Sequence, residues 1–143
     1  MMAEANLPER VRYAIETDSM IRLFGIEVEE TSEAFTRVSA VVKEDCLQLH
    51  ELAHGAFMFA LLDVAFALTV NAKVDAVAVQ WSISQFRSAK LGDKVAAECR
   101  LLHGGRRLMV VELLALGNEG KVLAKGQATA IPLGETAPAQ RRC

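Results

Sequence analysis

The sequence predicts an α+β fold in which one antiparallel β-sheet wraps around one long central helix. Three observations predict it. The segment Gly55–Val70 is apolar on all faces, with Asp63 as its only charged side chain, which is typical of a helix buried on all sides. The segments on either side of it alternate apolar and polar residues with a period of two, as half-buried strands do. Clusters of turn residues separate these segments, which indicates one antiparallel sheet around one helix.

The elements before the central helix are two short helical segments and a β-hairpin. Residues 7–17 carry apolar side chains at helical spacing and predict an amphipathic helix on the domain surface, and Asp18-Ser19 can cap a further short turn. From Phe24 the period changes to two, which predicts a strand over 24–29. A second strand over 35–42 completes a hairpin, and residues 43–53 form a loop that enters the helix.

Four further strands follow the helix. Alternation predicts a central strand over 77–84, and then strands over 95–102, 108–116 and 122–130, joined by turns as a meander. Gly126 lies inside the last of them and is expected to mark a bulge where the sheet curves.

Length and composition indicate one globular domain of 143 residues, 52% of them hydrophobic. We divide it into an N-terminal helical extension (1–19), the domain itself (20–133) and a flexible tail (134–143). A net charge of -2 argues against a nucleic-acid-binding or membrane-binding surface. The first 17 residues are charged and have no apolar run, so we expect no secretory signal and a cytoplasmic location. Three widely spaced cysteines indicate reduced thiols.

Asp63 and Gly55 are the candidate functional residues of the helix. A carboxylate among apolar neighbours is costly unless it meets donors, changes its pKa or lines a wet cleft. A helix that starts at Gly55 points its first N–H groups at whatever precedes it, which suits a carbonyl or an oxyanion. Asp63 lies about 12 Å further along the axis and cannot reach a small group at Gly55 of its own helix. We therefore expect an obligate dimer in which Gly55 faces Asp63 of the partner subunit.

Five features in register resemble one known family. They are the element order, the His54-Gly55 turn, Asp63 in the helix, the segment 86–93 (FRSAKLGD) and the segment 104–107 (GGRR). Over about residues 20–131 they resemble the hotdog-fold acyl-CoA thioesterases of the phenylacetic-acid-degradation type. The resemblance implies that residues 20–133 form a hotdog thioesterase domain, in a homo-oligomer that is at least a dimer and by resemblance a tetramer. It implies an acyl-CoA substrate and no metal or redox cofactor.

The resemblance also implies roles for individual residues. In the family the Gly after the motif His offers its N–H to the thioester carbonyl, a role that falls on Gly55, with His54 supporting the turn. The helix Asp of the neighbouring subunit is nucleophile or general base, a role that falls on Asp63. An Asn that orients the water or the carbonyl is replaced here by Gln48, and a second Gly by Ala56.

Two further sets of positions follow from the resemblance. The Gly that commonly follows the Asn is Leu49 here, and a Ser or Thr that often assists from the next strand has Ala78 at its position, with Ser82 and Ser84 nearby. The coenzyme A phosphates need cations at strand ends. The candidates for that role are Arg87, Lys90, Arg106 and Arg107.

Two other function classes compete with the thioesterase. The segment His50–His54 reads H-E-x-x-H, the zinc-hydrolase pattern, in which two His one helical turn apart bind zinc and Glu51 activates water. Against it, a catalytic zinc needs a third ligand, the only other His is His103, and Gly55 indicates a helix start. The third class is a non-catalytic hotdog module that binds acyl-CoA. Asp63 argues against it, because an inert binder has no use for a buried carboxylate.

Overall fold

A computed structural model gives the structure of the chain and describes residues 6–134. The order of elements confirms the predicted α+β fold, with six strands and a 16-residue helix, α3. The elements are α1 (Glu9–Thr17), α2 (Ser19–Phe24), β1 (Glu27–Thr31), β2 (Phe35–Val41), α3 (Gly55–Val70), β3 (Ala76–Gln85), β4 (Lys94–Gly104), β5 (Met109–Leu116) and β6 (Val122–Pro132).

The sheet has the strand order β1-β2-β4-β5-β6-β3, and every neighbouring pair is antiparallel. The prediction of a central β3 in a four-strand meander is therefore wrong, because β3 is an edge strand that pairs with β6. The segment between β3 and β4 explains this: Ala53 donates its N–H to the carbonyl of Ala89 at 2.8 Å, and Leu52 forms a bridge with Lys90. These contacts carry the chain across to the far side of the sheet before β4 begins.

The predicted strand from Phe24 begins later than expected. Asp18 caps α2 by accepting the Met20 N–H at 2.9 Å, and α2 then continues through Phe24. Gly25 ends it in the left-handed region at φ 63°, a conformation that glycine adopts without steric cost. The Phe24 ring meets the Phe57 ring edge to face at 5.7 Å, so its apolar side chain serves helix packing rather than a strand.

The core lies between α3 and the inner face of the sheet. Inward side chains of β2, β4 and β5 are almost completely buried against α3, among them Val38, Val95 and Leu113. One stripe of α3 stays open in the single chain, and it contains Ala56, Asp63 and a Phe59 that is 40% exposed. The prediction of a helix buried on all sides is wrong for one chain, because the side chains of this stripe stay exposed within residues 6–134 even where the Phe59 ring contacts Trp81 of β3.

Gly126 permits close packing of two strands. A Cβ at this position would lie 2.8 Å from the Ile83 Cα and against the Ser82 carbonyl oxygen. Only glycine allows β6 to approach β3 this closely. The expected bulge at Gly126 is absent, since its pairing with both neighbouring strands is regular, and β3 instead has a register shift between Ala78 and Gln80.

The outer face of β1, β2 and β4 carries a cluster of charged side chains. Glu29 accepts hydrogen bonds from Ser39 and Arg37, both at 2.7 Å, and forms an ion pair with Lys94 at 3.0 Å. Arg37 also pairs with Glu98. Partial burial raises the Glu29 pKa, but the hydrogen bonds from Ser39, Lys94 and Arg37 outweigh it and hold that pKa at about 2.

The N-terminal helix packs onto the domain. Val11 of α1 is buried in the core, and the Arg10 guanidinium donates to the Asn71 carbonyl at 2.8 Å and pairs with Asp75. Of the predicted flexible tail, 134–143, all but Gly134 lies outside the described residues. Among the described helices, none has the length and apolar character needed to span a membrane.

Candidate active site

The loop before α3 folds back on itself and fixes the position of Gly55. Leu47 forms a bridge with Ala53, and the Gln48 N–H donates to the Leu52 carbonyl at 2.8 Å. The His54 N–H donates to the Cys46 carbonyl at 2.8 Å. This bridge and its two hydrogen bonds, all within nine residues, therefore hold the start of α3, so that the first N–H groups of the helix have fixed directions.

His54 is the N-cap of α3. Its Nδ1 accepts the Ala56 N–H at 3.0 Å, and its carbonyl accepts the Phe57 N–H at 3.0 Å. Because Nδ1 is an acceptor here, the ring proton of the neutral imidazole lies on Nε2. The Gly55 N–H has no hydrogen-bond partner within residues 6–134. The cap thus satisfies the neighbouring donors and leaves the Gly55 N–H to bind an external oxygen.

Asp63 lies on the open stripe of α3, two turns after Gly55. Its side chain is exposed in the single chain, but partial desolvation of its carboxylate raises its pKa, and the negative charge of Asp18 raises it further. No side chain in the described part of the chain donates a hydrogen bond to it. At 1.5 Å per residue it is about 12 Å from Gly55 along the axis, so the two groups do not meet within one chain.

Gln48 is half-buried in the loop, and its side chain supports a turn. The Gln48 Oε1 accepts the His50 N–H, and the Gln48 backbone carbonyl accepts the Glu51 N–H at 2.9 Å. Its carboxamide oxygen is therefore occupied, while its NH2 group remains a donor.

The four candidate cations lie at the two ends of α3. Lys90 is bridged to Leu52, close to the start of the helix, and Arg87 precedes it in the same segment. Arg106 lines a cavity of about 570 Å³ at the other end of α3, next to Thr69. The helix is about 24 Å long at 1.5 Å per residue, so within one chain the four cations do not form one cluster.

The H-E-x-x-H segment is not helical. Glu51 has φ 61°, in the left-handed region, and α3 begins only after His54. The two His therefore do not lie one helical turn apart on one face, and the His54 Nδ1 already accepts the Ala56 N–H. Within residues 6–134, no three side chains of His, Cys, Asp or Glu come together as a metal site.

The two serines of β3 lie away from the start of α3, whereas Gln85 of the same strand lies beside it. Ser82 pairs with Gln127 and Ser84 with Lys125, on the outer face of the sheet and away from α3. Gln85 has the opposite orientation, and its Oε1 lies 3.6 Å from the point where a Cβ on Gly55 would be. Sequence reasoning missed Gln85, although it continues the apolar face of β3 after Trp81 and Ile83 as a polar residue.

Comparison with known proteins identifies the family. The profile of the thioesterase superfamily matches residues 50–124. A putative esterase of Deinococcus radiodurans is 36% identical over 118 residues, covering 82% of this chain and 80% of that protein. The acyl-coenzyme A thioesterase PaaI of Escherichia coli is 28% identical, with 85% and 87% covered. The solved structure of E. coli PaaI superposes with a TM-score of 0.86 at 26% identity, with 90% and 94% covered.

A structure with bound coenzyme A adds to these relatives. A hypothetical thioesterase of Streptococcus pneumoniae, solved with coenzyme A, is 27% identical and superposes with a TM-score of 0.76, with 82% of this chain and 93% of that one covered. These findings confirm the hotdog fold and the resemblance to thioesterases of the phenylacetic-acid-degradation type. The chain belongs to the thioesterase superfamily and is a hotdog-fold thioester hydrolase.

Proposed function

We propose that the protein hydrolyses the thioester of an acyl- or aryl-coenzyme A to the free acid and coenzyme A. The observation that carries the proposal is the pair of unsatisfied groups on α3, the Gly55 N–H and the Asp63 carboxylate. A thioester hydrolase needs a donor for the developing oxyanion and a carboxylate that accepts a proton or attacks. Coenzyme A bound to the streptococcal relative supports this substrate class.

The two groups form one site only in a dimer. The stripe of α3 with Phe59 and Asp63 is open, and β3 is an edge strand whose Val77 and Val79 are about half exposed. An unpaired apolar edge is a template for pairing with a second chain. We propose a two-fold axis near Phe59 that sets the two α3 helices antiparallel, so that Gly55 faces Asp63 of the partner subunit. A tetramer of two such dimers remains the expectation from the family.

The reaction begins when the Gly55 N–H binds the thioester oxygen and polarises the carbonyl. Asp63 of the partner subunit then takes a proton from a water that attacks the carbonyl carbon, or attacks that carbon itself and forms an anhydride that water hydrolyses. In both routes the C–S bond breaks and the coenzyme A thiolate leaves; in the second route water then cleaves the anhydride, which releases the acid and regenerates the Asp63 carboxylate. The raised pKa of Asp63 makes its carboxylate a stronger base than an aspartate with its ordinary pKa.

The remaining candidates act around this centre. In the antiparallel pair, the last turn of the partner's helix lies beside the loop before Gly55. This brings Arg106 of the partner subunit and Arg107 of the partner subunit toward Arg87 and Lys90. We propose that these four cations bind the phosphates of one coenzyme A. Gln48 keeps its NH2 group free to orient the attacking water, and His54 holds the start of the helix.

The proposal is tested by the hydrolysis of a panel of short, medium, long and aromatic acyl-coenzyme A thioesters. Thiol release is measured on metal-free protein, with zinc quantified in the same preparation. We expect turnover without metal for at least one acyl class. No turnover on any thioester overturns the proposal, and stoichiometric zinc with activity lost on chelation moves the function to His50, Glu51 and His54.

A further inference from the structure

Gln85 ends β3 beside the start of α3. It pairs with the buried Ala124 of β6, so its side chain points to the inner face of the sheet, as those of Trp81 and Ile83 do. Those two are apolar and pack against the core, whereas Gln85 is polar and exposed. A carboxamide at the end of an apolar face therefore needs an explanation.

The Gln85 carboxamide lies over the first residue of α3. Its Oε1 is 3.6 Å from the position of a Cβ on Gly55, and among residues 6–134 no other atom outside the adjacent residues and the backbone of α3 comes within 4 Å of that position. The side chain has no hydrogen bond to any residue in 6–134. A half-turn of the amide places its NH2 group where the oxygen now lies, so the same side chain can offer a donor there.

Gln48 is not equivalent to Gln85 in this respect. The Gln48 Oε1 accepts the His50 N–H, which fixes its amide in the loop. The Gln85 amide is unconstrained and is next to Gly55. Of the two carboxamides near the start of α3, Gln85 is therefore the one free to turn toward an oxygen bound at the Gly55 N–H.

We propose that Gln85 is a catalytic residue, the second donor of the oxyanion hole, and that its NH2 group binds the thioester oxygen together with the Gly55 N–H. The inference rests on the proposed function. As the carbonyl carbon becomes tetrahedral, its oxygen gains negative charge, and two converging donors stabilise that charge better than one. The Gln85 hydrogen bond strengthens in the transition state, so its loss lowers kcat more than it raises KM.

The test compares three variants by steady-state kinetics on the best acyl-coenzyme A of the panel. Gln85→Leu removes the donor and nearly keeps the size of the side chain. We expect kcat to fall by about ten- to a hundredfold with KM nearly unchanged. This decrease is smaller than the one caused by removing a buried oxyanion donor, because Gln85 is exposed. Gln127→Leu makes the same change on the outer face of β6 and should leave kcat unchanged. Thermal unfolding of each variant checks that the fold is intact.

Gln85→Glu gives a readout that a structural role would not produce. An ionised carboxylate repels the oxyanion, whereas the protonated acid is a donor, and the model-peptide pKa of Glu is about 4.3. Its kcat relative to wild type should therefore rise as pH falls from about 8 to about 5. Wild-type kcat in Gln85→Leu, or a pH-independent ratio for Gln85→Glu, overturns the inference while the proposed function stands. Wild-type protein that hydrolyses no thioester overturns the proposed function itself.

Discussion

Replacing Asp63 by Asn should abolish most of the activity without weakening the fold. The substitution keeps the size of the side chain and removes only the ability to accept a proton or to attack. Loss of a positioned base costs about 10²- to 10⁴-fold in rate, which corresponds to about 2.7–5.4 kcal/mol of transition-state stabilisation at 1.36 kcal/mol per factor of ten. We expect kcat to fall within that range.

The expected effect of the same variant on stability follows from the pKa of Asp63. Burial raises that pKa above its value in the unfolded chain, so the ionised form is less stable in the folded state than in the unfolded one. This penalty in folding free energy is absent below the pKa that Asp63 has in the unfolded chain. It grows as pH rises from that value to the pKa of Asp63 in the folded protein, and it is constant at higher pH. Asp63→Asn removes the penalty and loses no hydrogen bond, so the variant should be at least as stable as wild type at pH 7 and equal to it in acid.

The assays are thiol release from the best substrate and thermal unfolding from about pH 3.5 to about pH 8, with Asp45→Asn as the control. Asp45 is an exposed aspartate in the loop before α3, and its replacement should change neither quantity. An Asp63→Asn enzyme with more than about a third of wild-type kcat refutes the role of Asp63. A large loss of stability would show instead that the carboxylate is a structural partner.

Two further predictions concern other parts of the chain. The Glu29 pKa of about 2 lies below its pKa in the unfolded chain, so the stability that Glu29 provides is present above about pH 4.5 and is lost as pH falls toward 2. Glu29→Gln should therefore lower Tm at pH 7 and reduce the dependence of Tm on pH between about 4.5 and 2. Equal acid curves for variant and wild type would contradict this. His54→Ala removes the cap of α3 and should cost about 1 kcal/mol of stability together with part of the activity, whereas His50→Ala should change neither. Equal losses of activity in His54→Ala and His50→Ala, together with zinc bound to the wild-type protein, would favour the metal site.

The limits of the central helix were predictable because local chemistry sets them. His54 and Gly55 together mark a helix start, and Asn71 marks its end, so the predicted and observed limits agree. The strands around the helix were also recognisable from their alternation. The extent of α2 was harder to predict, since Phe24 fits the period of a strand and also the last turn of a helix. Its contact with Phe57, 33 residues away in the sequence, accounts for its place in the helix.

The neighbours of each strand were not predictable from the same patterns. Alternation in β3 shows that a strand exists, but its place at the edge depends on the contacts between 86–93 and the loop before α3. The open stripe on α3 has the same origin, since an apolar sequence does not tell a face buried in one chain from a face buried between two. Gln85 was detectable as a polar residue on an apolar face, yet only its position beside Gly55 gives it a chemical meaning.

The most direct test of the shared site is complementation between two inactive subunits. Gly55→Pro removes the N–H, and its ring fits the first helical position because His54 before it is extended at φ -63°, ψ 142°. Asp63→Asn removes the carboxylate. In an equal mixture of the two variants, half of the dimers contain one subunit of each kind. Each mixed dimer has one of its two sites intact, so we expect recovery of about a quarter of wild-type activity. Verified mixed dimers without any activity would contradict a site built from Gly55 of one subunit and Asp63 of the other.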